Sequence, residues 1–399
     1  MQAMRILYAL DSYRPNIDGV GISIERQALG LARKGHEVAI LAPSQRFANY
    51  EESNPHIRVC RVRSIRVLLA RWRLAALPAR PTESFVDEVC PDVVVLSLPF
   101  PLNRAALTAS RNRGIPTVGI TGTMPEWLIY NLPFLRPFAR ALNSRLWRLI
   151  VAFYNKCDAV VAVTPTAMSL LREHGLERPV HVISNGVDLR QFKPRPRDEK
   201  LARAMGIPRK PTVLYAGRLD SEKCMDVWIR AIPDVLKELD AHFVVVGDGS
   251  EKERLVTMVG KMGLERHVTF VGFLKAADYC HVYSLADIFA ISSPAELQSI
   301  VTLEAAASGV AIVAANAGAL PELVQEGSNG FLFPEGESAA MANRILAILS
   351  EPGRAHRMGR ESRAIAQRHD LERSIVKYEA LYRGILDNPR QSSRRWEAA

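Results

Sequence analysis

Short runs of β-branched and other apolar residues recur along the chain, each followed by a stretch with helical periodicity. Runs at Arg5–Leu10, Glu37–Ala42, Val93–Leu98, Thr117–Thr121, Ala159–Val163 and Val180–Ile183 occupy the first half. Runs at Thr212–Ala216, His242–Val246, Thr269–Val271, Ile288–Ile291 and Ala311–Ala314 occupy the second. They lack the apolar–polar alternation of a half-solvated strand, so they suit parallel strands covered on both faces by helices. Two such sets predict an α/β chain of two doubly wound, Rossmann-like domains. At 399 residues the chain is long for one domain and comfortable for two. The break is expected in the polar, proline-bearing stretch Lys193–Lys200, giving domains 1–192 and 193–372. Residues 373–399 are expected to form a helix packing back toward the first domain, with a frayed tail.

Composition narrows the class. A hydrophobic share of 48% with 24% charged residues reads as soluble and globular, and no apolar run reaches membrane-spanning length. The residues before the first strand are too few for a secretory leader. Five cysteines (Cys60, Cys90, Cys157, Cys224, Cys280) are scattered without a CxxC pair, which points to a reducing, cytoplasmic setting and no structural metal. Charge is uneven. Residues 1–200 carry 28 Lys and Arg against 17 Asp and Glu, whereas residues 201–399 carry 24 against 25. The excess on one half points to an anionic partner there.

Several segments suggest chemistry. Glu296 and Glu304 stand eight residues apart, the first in a loop after an apolar strand and the second inside a helical stretch. A helix N-terminus between two carboxylates offers N–H donors to a diphosphate. The carboxylates can accept hydrogen bonds from sugar hydroxyls. That combination suits a sugar nucleotide. Arg218 and Lys223 follow another strand and could reach one anion together, or be a solvated surface pair. Gly19 and Gly21 sit at a strand-to-helix turn that would let backbone approach a phosphate, though an ordinary tight turn would look the same. Gly318 could bring a further loop to the Glu296 region. The GxG of Gly247–Gly249 falls short of the full dinucleotide pattern. Phe273 could border a base or simply end a turn.

Taken together, Asp18-Gly-Val-Gly21, Gly35-His-Glu-Val38, Ile183–Asp188, Gly217-Arg-Leu219 with Glu222-Lys223, Val246–Gly249 and the Glu296/Glu304 pair resemble the retaining glycosyltransferases of family GT4 over nearly the whole chain. The resemblance implies the GT-B fold, two Rossmann-like domains facing a cleft, with the donor on the second domain and the acceptor on the first. It implies that Arg218 and Lys223 hold the donor diphosphate, with the backbone of Ser299, Ile300 and Val301 and the loop at Gly19, Gly21 and Gly217 contributing. Glu304 would bind the ribose and Glu296 the transferred sugar. Glu296, Arg218 and Lys223 would thus form the catalytic set, without a metal or cofactor. Two departures stand out. Leu297-Gln298 replaces the Phe-Gly common in relatives, and Thr123 stands where many carry a histidine facing the sugar. Thr123 and Glu126 would face the sugar or acceptor. The segments Asn16–Val20 and Met124–Glu126 resemble the branch containing diacylglycerol glucosyltransferases.

The excess charge of the first half has a local source. Between Ser53 and Thr82 there are seven arginines and no acidic residue. Ile65, Leu68, Leu69, Trp72 and Ala76 follow helical spacing, flanked by Arg66, Arg71 and Arg73. A second stretch, Pro137–Tyr154, is expected to place Phe138, Leu142, Leu146, Leu149, Ile150 and Phe153 on one face, with Arg140, Arg145 and Arg148 beside it. Basic amphipathic helices of this kind lie on anionic bilayers; they also pack on their own sheet.

The expected activity is therefore transfer of a hexose from a nucleotide-sugar, a UDP-hexose favoured over GDP-mannose, to a hydroxyl with retention. A membrane lipid such as diacylglycerol is the favoured acceptor, with the enzyme peripheral on the inner face of the membrane. A soluble acceptor and a catalytically inactive sugar-nucleotide binder are the alternatives. Nucleic acid is not expected as a partner, because no recognised binding module accompanies the charge.

Overall fold

The computed structural model describes residues 2–15, 19–52, 56–66, 73–122, 124–126, 130 and 138–387. The chain divides into two compact units. Unit one comprises Met1–Pro125, Pro137–Asn185 and Glu372–Ala399, and unit two Glu126–Arg136 and Gly186–Leu371.

Unit one is built on β1 (Arg5–Ala9), β2 (Glu37–Pro43), β3 (Tyr50–Glu52), β4 (Arg58–Val62), β5 (Ser64–Arg66), β6 (Arg73–Ala75), β7 (Val93–Leu96), β8 (Thr117–Ile120), β9 (Ala159–Ala162) and β10 (Val180–Val182). The main sheet has the order β10-β9-β8-β7-β1-β2-β4-β3 and is parallel except for β3 against β4. Strands β1, β7, β8 and β9 are buried at nearly every position, as continuous Val/Ile runs require. β1 lies between β2 and β7, so the connections diverge there and open a crevice at the carboxyl ends of the strands. The C-terminal helix Leu371–Asp387 completes this unit. Ile375 fills the space a Cβ would occupy at Gly30, and the Tyr382 hydroxyl lies 3.3 Å from that of Tyr8. Glu379 binds Lys34 at 2.8 Å.

Unit two carries β11 (Thr212–Ala216), β12 (His242–Val246), β13 (Val268–Gly272), β14 (Ile288–Ile291), β15 (Ala311–Ala315) and β16 (Gly330–Phe333). Its order, β13-β12-β11-β14-β15-β16, is parallel throughout. The direction of progression reverses between β11 and β14, registered as Val213↔Ile288 and Leu214↔Phe289. Loops leaving these two strands must therefore meet.

The basic stretch of unit one departs from expectation. Ser64–Arg66 and Arg73–Ala75 are not helical; they form an antiparallel pair with Ser64 opposite Ala75 and Arg66 opposite Arg73. Arg71 and Trp72 lie outside the described residues. The apolar spacing that suggested a helix spans too few turns to outweigh cross-strand pairing. Arg73 is tied down, its Nε donating to Ser64 Oγ at 2.8 Å, whereas Arg66 is exposed. Arg61, from the same run, is only 1% exposed. It donates to the Arg14 carbonyl and lies 5.0 Å over the Tyr13 ring, bracing the loop that follows β1.

The second stretch is a helix, Ala139–Tyr154, but its buried stripe is shifted. Trp147, Ile150, Val151 and Tyr154, at i, i+3, i+4 and i+7, face the core, and Phe153 joins them. Phe138 and Leu149 are instead 67% and 54% exposed. Arg145 and Arg148 are exposed on the same helix, and the side chain of Arg140 lies outside the described residues. Among the described residues no helix is long and apolar enough to cross a membrane.

Candidate functional site

The reversal in unit two brings one of the sequence-predicted cations, Lys223, to the first glutamate. β11 ends at Ala216 and leads through Gly217 and Arg218 into the short 3-10 turn Ser221–Lys223. β14 ends at Ile291 and leads through Ser292 and Ser293 to Glu296. Lys223 Nζ lies 2.7 Å from Glu296 Oε1, with both side chains largely buried. The two loops are also stitched by hydroxyls: Ser292 Oγ donates to the carbonyls of Lys223 and Cys224, and Ser293 Oγ donates to that of Glu222.

Arg218 is held by two carboxylates. Its guanidinium donates to Asp220 and, at 2.6 Å, to the buried Glu222. The Tyr215 hydroxyl donates to the Arg218 carbonyl at 2.7 Å. Burial pushes that phenol well above its ordinary value, and the charge of Glu296 pushes it further, so it remains a donor. Sequence reasoning gave no role to Tyr215, Asp220 or Glu222. The i, i+4 spacing of Arg218 and Glu222 was the available signal.

Close backbone approach explains the glycines. A Cβ on Gly247 would sit 1.8 Å from the Gly217 carbonyl oxygen, and one on Gly249 would sit 2.2 Å from that of Leu219. The loops after β11 and β12 can pack backbone to backbone only without side chains at these positions. Gly318, at φ +55, performs the same service beside Glu296: its Cβ would meet the Glu296 carbonyl oxygen at 2.6 Å. Ala319 N–H donates to that carbonyl at 2.8 Å.

After Glu296 the chain buries Leu297 and Gln298 and enters the helix Ile300–Ala307. Ser299 is its N-cap, accepting from Thr302 N–H, while the Thr302 hydroxyl donates to Ser299 Oγ at 2.8 Å. The N–H groups of Ile300 and Val301 belong to the first turn and have no intrahelical acceptor by construction. Glu304 lies one turn on, 2% exposed, with the hydroxyls of Tyr279 and Tyr283 at 3.0 and 3.3 Å from its Oε2. Phe273 is 63% exposed just past the end of β13. Among the described residues no group of three His, Cys, Asp or Glu side chains is arranged to hold a metal ion.

The remaining candidates lie elsewhere or outside the description. Gly19 and Gly21 open the helix Gly19–Arg33 of unit one, Gly21 buried and Gly19 exposed. Thr123 is not among the described residues. Glu126 is half-buried and falls in unit two.

The switch point thus joins Lys223 to Glu296, with Arg218 on the loop after β11 and Glu304 in the helix that follows β14. Residues 17–191 match the family described as Glycosyltransferase Family 4, and residues 198–365 match Glycosyl transferases group 1. The chain belongs to glycosyltransferase family 4. One relative of this glycosyltransferase is a GDP-mannose-dependent alpha-mannosyltransferase of Corynebacterium glutamicum, 30% identical over 336 residues, covering 83% of this chain and 77% of that protein. Another is the alpha-monoglucosyldiacylglycerol synthase of Acholeplasma laidlawii, 23% identical and covering 96% and 98%. Among solved structures, sucrose-phosphate synthase from Thermosynechococcus elongatus superposes with a TM-score of 0.78 at 19% identity, covering 96% of this chain and 99% of that one. Anabaena HepE in complex with UDP-glucose gives 0.74 at 23% identity, covering 95% and 100%. The enzyme is a glycosyltransferase that takes its sugar from a nucleotide-sugar donor.

Proposed function

We propose that this enzyme is a retaining hexosyltransferase whose acceptor is a hydroxyl of a membrane lipid. The observation that supports the donor half is the meeting of Lys223 with Glu296 at 2.7 Å, ahead of the capped helix Ile300–Ala307 in the chain. In this reading Arg218 and Lys223 hold the diphosphate, joined by the backbone N–H groups of Ser299, Ile300 and Val301. Glu304 accepts from the ribose, Glu296 accepts from hydroxyls of the hexose, and Leu297 and Gln298 shape the sugar end. Gly217 admits the diphosphate to close backbone contact, and Phe273 borders the base.

The reaction breaks the anomeric carbon–phosphate oxygen bond and forms an anomeric carbon–acceptor oxygen bond on the same face of the sugar. The acceptor proton passes to the departing phosphate oxygen, so no protein base is consumed. Negative charge grows on the leaving diphosphate, where Arg218 and Lys223 offset it. Removing one such preorganised donor costs on the order of 10²–10³ in rate.

Three relatives with 29–30% identity over 83–87% of this chain bear the name GDP-mannose-dependent alpha-mannosyltransferase. That makes GDP-mannose the first donor to test, ahead of a UDP-hexose. The lipid acceptor is supported by the alpha-monoglucosyldiacylglycerol synthases and by the exposed Phe138 and Leu149 beside Arg145 and Arg148. Arg66 and the 53% exposed Ile65 add to the basic, apolar surface of the same unit. Each arginine near an anionic bilayer contributes about 1 kcal/mol, enough in combination for reversible docking.

A thermal-shift panel of GDP-mannose, UDP-glucose and ADP-glucose tests the donor; the absence of a shift with all three overturns it. Sedimentation with phosphatidylglycerol vesicles at low salt tests the surface. Failure to sediment there returns the acceptor to a soluble polyol, the class named in a D-inositol 3-phosphate glycosyltransferase 32% identical over 216 residues.

A further inference from the structure

Glu304 does not stand alone in its pocket. Tyr279 lies at the middle of the helix Ala276–Val282, and Tyr283 opens the 3-10 turn that follows. Four residues apart, they present both hydroxyls to one carboxylate oxygen, Glu304 Oε2. The edge of Phe192 packs against both rings, at centroid distances of 6.3 and 5.9 Å, and fixes their planes. Tyr283 is 1% exposed, and burial pushes its phenol well above the ordinary value, so it keeps its proton.

The distances rank the possible bonds. The two phenol oxygens are 3.0 Å apart, Tyr279 is 3.0 Å from Glu304 Oε2, and Tyr283 is 3.3 Å from it. Three oxygens share two phenolic protons, so at most two of the three contacts carry a proton at once. The two shorter ones form a relay: Tyr283 donates to Tyr279, and Tyr279 donates to Glu304. Each bond polarises the next, which strengthens the last one to the carboxylate. Fixing one oxygen fixes the carboxylate plane and therefore the direction of its remaining lone pairs.

We propose that Tyr279, with Tyr283 behind it, is the positioning residue that aims Glu304 at the ribose diol of the donor nucleotide. This rests on the donor reading above. In this reading Tyr279 acts through the carboxylate it touches, and so on affinity for the ribose rather than on the transfer step.

The test uses the full-length enzyme and isothermal titration with GDP and UDP and with their 2′,3′-dideoxy counterparts. Tyr279→Phe is expected to weaken the ribonucleoside diphosphate on the order of tenfold, to leave the dideoxy compound unchanged, and to raise KM for the donor with little change in kcat. Tyr283→Phe is expected to have a smaller effect, because the Tyr279 bond survives it. An equal loss for both sugar forms, no loss, or a larger loss in Tyr283→Phe each overturns the proposal. Should Tyr279→Phe not fold, Tyr283→Phe carries the test: by breaking the relay behind Tyr279 it must weaken the ribonucleotide and spare the dideoxy form. If wild-type enzyme binds neither GDP nor UDP, the donor reading falls and takes this proposal with it. If it binds and Tyr279→Phe matches it, only this proposal falls.

Discussion

Replacing Lys223 by alanine leaves the Glu296 carboxylate without its 2.7 Å partner in a site where its side chain is only 12% exposed. Breaking a fully buried ion pair by removing one member costs about 3–5 kcal/mol, mainly because the other charge stays buried without compensation. Both partners here retain some solvent, 15% for Lys223 and 12% for Glu296. The expected loss is therefore smaller, about 2–3 kcal/mol. For a unit of this size each kcal/mol moves the midpoint by roughly 2–4 °C, so Lys223→Ala should melt about 4–12 °C lower in a calorimetric scan. The double variant Lys223→Ala/Glu296→Gln replaces the uncompensated charge with a neutral amide of the same shape. It should recover most of the lost midpoint, yet transfer from the nucleotide-sugar should stay depressed by on the order of 10²–10³, because the diphosphate has still lost a cation. A midpoint within a degree of wild type for the single variant refutes the electrostatic argument. Recovery of transfer in the double variant refutes the catalytic one.

Two pH windows separate the units. In unit one, burial alone would raise Glu379, but hydrogen bonds from Lys34, Arg383 and His36 outweigh it and hold the carboxyl at about 2. Its contribution is present above the ordinary value of 4.5 and is lost as pH falls from there through about 2; Glu379→Gln should be less stable than wild type near neutrality by about 2–3 kcal/mol, the gap closing by pH 2. In unit two, burial, then the nearby His267 and Lys210, lowers His242 to about 4. The fold holds it neutral, so stability should drop as pH falls from 6.5 to about 4, and chemical denaturation of His242→Gln should lack that slope. Gly247→Ala, forced against the Gly217 carbonyl at 1.8 Å, should destabilise by at least about 2 kcal/mol and weaken donor binding in titration, because the loop carrying Arg218 must shift. Leu77 holds φ +49 with its side chain 78% exposed, so Leu77→Gly should not lower the melting midpoint and should raise stability by up to about 1 kcal/mol; a clear loss would show that the side chain packs.

The sheets were legible because burial on both faces leaves a mark that needs no tertiary information. Val93–Leu96 is apolar at every position for that reason alone. β4 was not legible: Arg58 and Arg61 interrupt its apolar positions, and only the fold reveals that Arg61 is buried against Tyr13 and the Arg14 carbonyl. The Ser64–Ala75 pair misled because five apolar positions fit a helical wheel as well as a ribbon, and the partner strand is not visible in either segment. The meeting of Lys223 with Glu296 follows from strand order, which the motif implied only through resemblance. Tyr279 and Tyr283 were missed because aromatic residues four apart ordinarily mark a packed helix face. Their hydroxyls acquire meaning only once β14 and the helix after it carry Glu304 to them.

Unit one is discontinuous: its last helix comes from residues after Glu372, whereas most of unit two is a single stretch from Gly186 to Leu371. On the ribosome, therefore, the half that emerges first must wait longest. Until Ile375 and Tyr382 are free of the ribosome, the flank of Gly30 is uncovered and the Tyr8 hydroxyl has Gln27 but lacks its Tyr382 neighbour. A chain truncated after residue 371 and released should then yield a protease-resistant second unit joined to a digestible first one, reversing the usual order in which domains mature.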